Sequence, residues 1–591
     1  MRRALLLPLV LALSLGGAFA QTFTSQTHEP RVEMAWNRYR SYEDLSAALR
    51  RLVEAYPRFV ALSSIGKSSQ GRDLWLVTVT NPDTGADTAK AAIWIDGNIH
   101  GNEVQGGDAC LYTIWYLMEY YGRIESVTRL VDQRTFYILP VVNPDGRAAW
   151  FGSPNNAHSA RSGQKPTDED RDGAFDEDGY DDLDGDGEIT EMRKLSPEGD
   201  MIEHPDDPRV LVRAPRGKPG KYLLLGSEGV DNDGDGKVNE DPPGGYDLNR
   251  NWPGDWQPEY AQYGAGDYPL SHPESRAIAE FLIGHANVAG FQSYHNAGGM
   301  ILRGPGAKER EEAYPAADIA VYDAIGKSGE EMLPFYRYMV IWKDLYSVHG
   351  GEVTWAYEDL GILAMTNELW SSSQIANRAG EDEAPRADGV DPRYQWMARE
   401  RAEREEVDRL LLGEPYAPWK EVDHPTYGKI EVGGFRRMYG RVAPAWMIEE
   451  MLHRNAAFTL FHASEMPRPE IESVETLSLG GGLFRVDLAV ANPHLIPTIT
   501  ARAAQKKIGR RDLAEFLGDG IEVVAGGTIE GRLHERFVPV EKVPSRLWFP
   551  NGLGSHARLR VRWIVSGTGT VRVAYDAERG GRVEREVRLG E

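Results

Sequence analysis

IDGNIHGNE, residues 95–103, joins a short apolar run of β type (residues 91–95) to a helical run (residues 104–121). His100 and Glu103 stand three positions apart at this junction, so one imidazole nitrogen and one carboxylate can reach a single cation. Two protein ligands leave a tetrahedral metal short of a third, and the sequence therefore predicts a His from a distant part of the chain. An isolated H-x-x-E also occurs by chance, so the motif needs support from other residues.

Length and charge set the first limits. The chain has 591 residues, which is too many for a single hydrophobic core, so we expect two or more domains. The formal net charge of -24 argues against nucleic acid or an anionic membrane as a partner. Cys110 is the only cysteine, which excludes an internal disulfide, and we expect it to be a buried packing residue.

The first twenty residues have the parts of a secretory signal. Arg2 and Arg3 form a basic start, residues 5–15 are apolar, and residues 18–20 (AFA) fit a cleavage site. The apolar run is too short to be a membrane span, and no other stretch is long enough. We therefore expect a secreted or periplasmic protein without a membrane anchor, in which residues 21–35 are a linker.

A βαβ unit is predicted around the first motif. Strand 91–95, helix 104–121 and strand 135–142 follow one another, after a helix near 45–56 and a strand at 74–80. Ligands of such sheets bind at the carboxyl ends of the strands, which is where His100 stands. The fold class expected is therefore α/β.

Residues 151–245 interrupt this pattern with a polar, strongly acidic insertion. Residues 168–200 hold fifteen acids and three bases, and residues 231–241 hold five acids and one base. Aspartates recur at alternate positions before a Gly in three runs, namely Asp168, Asp170 and Asp172; Asp182, Asp184 and Asp186; and Asp231, Asp233 and Asp235. Such runs fold around a hard cation, so we expect calcium here, with a solvated acidic loop as the alternative.

Polar residues also follow later strands. Asp247, Asn249 and Arg250 lie just after the insertion, His295 ends a strand at 288–294, and Glu368 follows a strand at 361–366. A final long helix is predicted over 444–464, with proline at its start. From residue 466 to 591, apolar and polar residues alternate between Gly-rich turns, which predicts a small all-β sandwich domain.

These motifs occur in an order that resembles the zinc carboxypeptidase family, of the carboxypeptidase A type. The resemblance covers roughly residues 36–465, apart from the insertion, and implies a catalytic domain with a mixed central sheet flanked by helices. It implies that one zinc ion is bound by His100, Glu103 and His295, with water as the fourth ligand. Asp247 would orient the first His, and Glu368 would be the general base that takes a proton from the water and returns it to the leaving amine.

The resemblance also implies how a substrate would be held. Asn249 and Arg250 would bind the free C-terminal carboxylate of a peptide, and the Tyr346 hydroxyl would cap the bound residue. The family uses an Arg to polarise the scissile carbonyl. That position falls where the insertion begins, and we assign it to Arg161, with Arg193 as the second candidate.

The expected specificity pocket is apolar. Its floor matches Val353 and its walls match Ile341 and Thr366, while Gly306 stands where the basic-specific branch of the family has an acidic residue. Arg303 lies near the pocket in sequence and would instead favour an acidic side chain. We therefore expect release of apolar C-terminal residues, with acidic residues as the alternative.

The predicted function is that of a metallocarboxypeptidase acting on peptide or protein C-termini. The same residues would also suit a peptidase of cell-wall stem peptides. A calcium-binding or adhesion protein with a dead enzyme domain is a third reading, although every expected zinc ligand and the base are kept. The sequence leaves the oligomeric state and the role of the C-terminal domain open.

Overall fold

The computed structural model describes residues 28–154, 156, 159–166, 168, 173–204, 207–371, 410–531 and 534–590, with the backbone alone at 207 and 437. The expected signal at 1–20, residues 21–27 of the expected linker, and Asp170 and Asp172 lie outside the described residues. Among the residues that are described, no helix combines the length and the apolar character needed to cross a membrane.

An eight-stranded mixed sheet organises the larger part of the chain, in the order β1-β2-β4-β3-β9-β12-β10-β11. Numbered along the chain, its strands are β1 (Val60–Lys67), β2 (Asp73–Val79), β3 (Ala92–Gly97), β4 (Thr135–Leu139), β9 (Val288–Asn296), β10 (Met300–Arg303), β11 (Arg337–Val340) and β12 (Leu363–Leu369). The four central strands β4, β3, β9 and β12 run parallel. Their carboxyl ends therefore meet at one edge of the sheet, as the sequence predicts for the site.

Helices cover this sheet. They are α1 (Tyr42–Ala55), α2 (Gln105–Tyr120), α3 (Glu125–Gln133), α4 (Pro144–Gly152), α5 (Pro273–Gly284), α6 (Ala316–Met332), α7 (Glu352–Glu358) and α8 (Ile448–Ser464). A further short helix, α9 (Ala501–Lys506), contacts α6. Helix α2 is buried along almost its whole length, and it packs on β3, β9 and α8. Its start requires glycine at 106, because a Cβ there would lie 2.8 Å from the carbonyl oxygen of Tyr294.

Most predicted elements are present with shifted ends. The predicted final long helix, α8, begins at Ile448 rather than Pro444, because Pro444 lies in a turn in which the Met447 amide donates to the Pro444 carbonyl (2.8 Å). Strand β12 runs on to Leu369, so Glu368 lies within the strand and not after it. The fold class is the expected one, a mixed α/β sheet followed by antiparallel β sheets.

The acidic insertion is more ordered than its composition suggests. Its strands β5 (Glu191–Leu195), β6 (Met201–His204), β7 (Asp207–Arg213) and β8 (Tyr222–Ser227) form a six-stranded sheet with β13 (Tyr416–His424) and β14 (Gly428–Phe435), in the order β13-β14-β5-β8-β6-β7. Met192, Ile430 and Val432 form a small buried cluster at the join. The insertion is therefore closed by a segment from the far end of the catalytic region.

The C-terminal region is a two-layered β structure. One sheet is β15 (Glu470–Gly480), β16 (Leu483–Ala491), β18 (Glu522–Glu530), β19 (Arg536–Pro539) and β21 (Arg558–Ser566), and the other is β17 (Asp512–Leu517), β20 (Arg546–Phe549), β22 (Gly569–Ala577) and β23 (Gly581–Leu589). Side chains from both sheets share one buried core, which includes Trp563 and Tyr575. This is the packing expected of a sandwich.

The sandwich is docked on the loop that leads into β12. The buried guanidinium of Arg579 donates to the carbonyls of Leu360 and Gly361. At the neighbouring α6, the carboxylate of Asp318 accepts the amides of Ala501 and Arg502, both at 2.9 Å. These charged groups are satisfied across the junction, so the two regions are joined by directional bonds.

Candidate metal centre

Three candidate metal ligands converge where two neighbouring strands end. His100 and Glu103 follow β3, and His295 lies near the end of β9, which pairs with β3 in parallel. The His100 Nδ1 and His295 Nδ1 atoms lie 3.0 and 2.9 Å from the two oxygens of Glu103. All three side chains are buried. Two imidazoles and one carboxylate facing a common point are a donor set that fits zinc.

The loop that carries His100 is held against the segment of Arg161. The Gly101 amide donates to the Arg161 carbonyl (2.8 Å). A Cβ at position 101 would lie 2.1 Å from the carbonyl oxygen of Ala160. Glycine is required here by this close approach, and the approach brings the start of the insertion to the metal ligands.

Asp247 sets the orientation of His100. Its Oδ1 lies 3.0 Å from His100 Nε2 and also accepts the Asn249 amide (2.8 Å). Burial acts to raise the pKa of Asp247, but the charges of His100, Arg250 and Arg161 hold it well below its usual range. An ionised carboxylate requires a hydrogen on Nε2, which leaves the Nδ1 lone pair of His100 for a metal.

The two arginines considered for the scissile carbonyl lie in different places. Arg161 Nη2 lies 3.1 Å from Asp247 Oδ2 and 2.9 Å from His100 Nε2, and Arg161 Nη1 lies 3.4 Å from Glu103. Arg193 lies in the insertion sheet, with its guanidinium 4.0 Å from the ring of Tyr222 and 4.1 Å from that of Trp419. Arg193 is therefore wrong as a site residue, because it is part of the packing of that sheet.

Glu368 is placed beside the metal ligands by strand register. It pairs with His295 across the parallel strands β12 and β9, so the two side chains share a face of the sheet. Burial, with the charge of Glu103, raises the pKa of Glu368 to about 7, against the opposing effects of His295, Arg161 and Arg441. A carboxyl group with a pKa near neutrality is suited to accept and return a proton.

The candidate carboxylate-binding residues lie next to the metal ligands. Asn249 and Arg250 belong to a single helical turn, Leu248–Arg250, in which Arg250 Nη1 donates to the Asn249 carbonyl (2.7 Å). Asn249 Nδ2 lies 3.5 Å from His295 Nε2. Tyr346 follows the turn Ile341–Leu345 and is exposed. Its capping role stays a prediction.

The expected pocket residues are uncharged and buried. Val353, Ile341 and Thr366 are each less than a tenth exposed, and a Cβ at Gly306 would lie 2.4 Å from the Val348 carbonyl oxygen. Arg303 Nε instead donates to the Tyr338 hydroxyl (2.7 Å) and its Nη1 to the Gly304 carbonyl (2.8 Å). These bonds use two of the five N–H donors of Arg303. The identity of the released residue stays a prediction.

Two titratable groups near the site, Arg441 and Glu352, belong to no sequence motif. Arg441, between β14 and α8, donates to the Asn296 carbonyl (3.0 Å) and lies 3.6 Å from Glu103 Oε1. No motif surrounds Arg441, so no pattern could have identified it. Burial and the charge of Asp96 raise the pKa of the buried Glu352 well above its usual range. Asp96 does stand in the IDGNIHGNE stretch, but a carboxyl pair is visible only in three dimensions.

The acidic runs of the insertion fold as compact turns. Asp182 accepts the amides of Gly185 (2.7 Å) and Gly187 (2.8 Å), and Asp231 accepts those of Gly234 (2.6 Å) and Gly236 (3.1 Å). Among the described residues of the insertion, acidic groups lie close enough to share a cation in three places: Asp182, Asp184 and Glu228; Asp231, Asp233 and Asp235; and Asp178, Asp233 and Glu240. Asp186 is not in these groups, and Asp168 accepts the Gly173 amide (3.2 Å).

Comparison with known proteins adds a family model described as zinc carboxypeptidase, which matches residues 45–191 and 226–382. Residues 468–588 match a model described as a domain of unknown function, DUF8731. The chain is 36% identical to human carboxypeptidase D over 116 residues, which are 20% of this chain and 8% of that protein. It is 33% identical to a zinc carboxypeptidase of Saccharothrix mutabilis subsp. capreolus over 108 residues, 18% of this chain and 25% of the relative.

Among solved structures, thrombin activatable fibrinolysis inhibitor is similar with a TM-score of 0.42 and 19% identity, over 75% of this chain and 79% of that one. The alignments with carboxypeptidase D and with the Saccharothrix zinc carboxypeptidase span a quarter or less of the length of each of these relatives.

Proposed function

This chain belongs to the zinc carboxypeptidase family, and we propose that it is a zinc-dependent metallocarboxypeptidase. The family model matches two segments of the chain, of 147 and 157 residues, out of 591. It hydrolyses the C-terminal peptide bond of peptides or proteins. The observation that carries the proposal is the convergence of His100, His295 and Glu103 at strand ends, with Glu368 in register beside His295. We further propose that the protein is exported through the signal expected at residues 1–20.

The residues around the metal centre have separate roles in the proposed hydrolysis. His100, Glu103 and His295 would hold zinc, which when bound supplies a Lewis acid and lowers the pKa of water. Glu368 accepts a proton from the attacking water and returns it to the leaving amine. Arg161 donates to the scissile carbonyl oxygen as negative charge develops on it.

Arg250 and Asn249 make the enzyme an exopeptidase. A guanidinium and an amide beside the reacting centre pair with a terminal carboxylate, which an internal peptide bond does not offer. Arg250 is mostly buried, so the loss of its partner leaves a charge poorly solvated. Amidation of the substrate is therefore expected to abolish nearly all cleavage.

The apolar pocket determines which residue is released. An aliphatic or aromatic side chain gains roughly 1.5–3 kcal/mol on burial, whereas an unpaired ammonium group is costly to bury. The test is one peptide series ending in Phe, Leu, Lys, Glu or Phe-amide, with a cell-wall stem peptide as a further substrate. We expect Phe and Leu to be preferred. Preference for Lys or Glu would reject the pocket assignment, cleavage of the stem peptide alone would support the cell-wall alternative, and efficient cleavage of the amide would reject the exopeptidase.

A further inference from the structure

Three carboxylates meet where the segment before the second acidic run approaches the third run. One oxygen each of Asp178, Asp233 and Glu240 lies within 4.8 Å of the others. An isolated antiparallel bridge between Asp178 and Asp241 holds the two segments together. Two members, Asp178 and Glu240, stand outside the alternate-Asp runs, so sequence spacing does not reveal this group.

The group differs from the other acidic turns in its hydrogen bonding. Asp178 is fully buried, and its Oδ1 accepts a hydrogen bond from Asn232 Nδ2 (3.1 Å). Its Oδ2, and both carboxylate oxygens of Glu240, are buried atoms without a hydrogen-bond partner in the described part of the chain. In contrast, Asp182 and Asp231 accept backbone amides within their own turns. Of the three acidic groups in the described part of the insertion, the Asp178 group is therefore the one that combines close carboxylates with buried oxygens that lack donors.

Buried carboxylates without donors or counter-charges are costly, so the group needs either a cation or a proton. Burial, with the adjacent Asp178, raises the pKa of Glu240 to about 7. A proton shared between the two carboxyl groups is thus the competing explanation. All three ligand atoms are oxygens, which suits a hard cation and disfavours zinc or copper.

We propose that Asp178, Asp233 and Glu240 bind one calcium ion, which joins the segment before the second acidic run to the third run. The ion replaces the missing donors of Asp178 Oδ2 and the Glu240 carboxylate. Glu240 precedes Asp247 by only seven residues, so the ion also anchors the segment that leads to Asn249 and Arg250.

The test uses the full zinc-loaded chain and calcium itself. Bound calcium is counted by equilibrium dialysis for the wild type, Asp178→Asn, Glu240→Gln and the control Glu198→Gln, which removes the same charge from an exposed residue of the insertion. We expect the wild type and the control to bind equally. We expect Asp178→Asn and Glu240→Gln each to bind one ion fewer, or to bind it at least about tenfold more weakly.

Two results would overturn the proposal. One is wild-type protein that binds no calcium at millimolar concentration, which would leave a shared proton in the site. The other is calcium binding that is unchanged in both variants. Circular dichroism of each variant verifies folding. Calcium should raise the melting temperature of the wild type by more than it raises that of Glu240→Gln. Because this comparison uses the shift and not the melting temperature itself, a variant with low stability still gives a result.

Discussion

The metal centre and the acidic insertion both bury carboxylates, but they balance the charge differently. At the sheet edge, Glu103 and Asp247 face two imidazoles and the guanidiniums of Arg161 and Arg441. Their pKa values are held well below the usual range in spite of burial. In the insertion, Asp178 and Glu240 face each other, and the pKa of Glu240 rises. Fixed cationic side chains keep the carboxylates of the metal centre ionised. The carboxylates of the insertion instead need a cation or a proton from solution.

The largest effect is expected from removal of a metal ligand. His295→Ala should lose zinc and with it nearly all activity, because His100 and Glu103 alone do not complete a zinc site. Metal analysis after dialysis, together with hydrolysis of a Phe-terminated peptide, measures both. Stoichiometric zinc at normal affinity in this variant would remove His295 from the centre.

The next effect separates proton transfer from metal binding. Glu368→Gln should keep zinc and lower kcat by about 10²- to 10⁴-fold, since an amide cannot accept the proton of the attacking water. The measurement is kcat alongside zinc content, with wild-type protein handled in parallel. Near-full activity, or loss of the metal, would contradict the assignment of the base.

A smaller effect is expected at Arg161. Arg161→Ala should lower kcat by about 10²- to 10³-fold, because it removes a donor to the developing negative charge. Zinc content should stay near one per chain, since Arg161 supplies no ligand atom. Steady-state kinetics on the same peptide measure the change, and an unchanged kcat would mean that another group polarises the carbonyl.

The smallest catalytic effect is expected at Arg193, which serves as the matched control. Arg193→Ala should leave kcat unchanged but destabilise the protein by about 1–3 kcal/mol, because it removes packing between two aromatic rings and a 2.7 Å ion pair with Glu431. Thermal unfolding and kcat are measured together. A loss of kcat in properly folded Arg193→Ala would show that the insertion takes part in catalysis directly.

The same contrast explains how much the sequence could predict. The apolar pattern of the sequence predicts the strands near whose ends the main site residues stand, namely His100, Glu103, His295 and Glu368. Their order along the chain is the one that resembles the zinc carboxypeptidase family. Residues of the insertion sheet give no such pattern, because Glu191–Leu195 is short and polar and its partner strand lies far along the chain. Groups such as Arg441 are assembled only by tertiary contacts, so no local rule identifies them.

The pairing of β5 with β14 has a consequence for how the chain is made. Arg193 and its partner Glu431 are 238 residues apart, so the open edge of β5 must wait for most of the catalytic region to be synthesised. An unpaired strand edge is a hazard for aggregation, and like charges on the waiting segment oppose association between chains. The dense negative charge of the insertion would thus keep the nascent chain apart from its neighbours until the closing strand arrives.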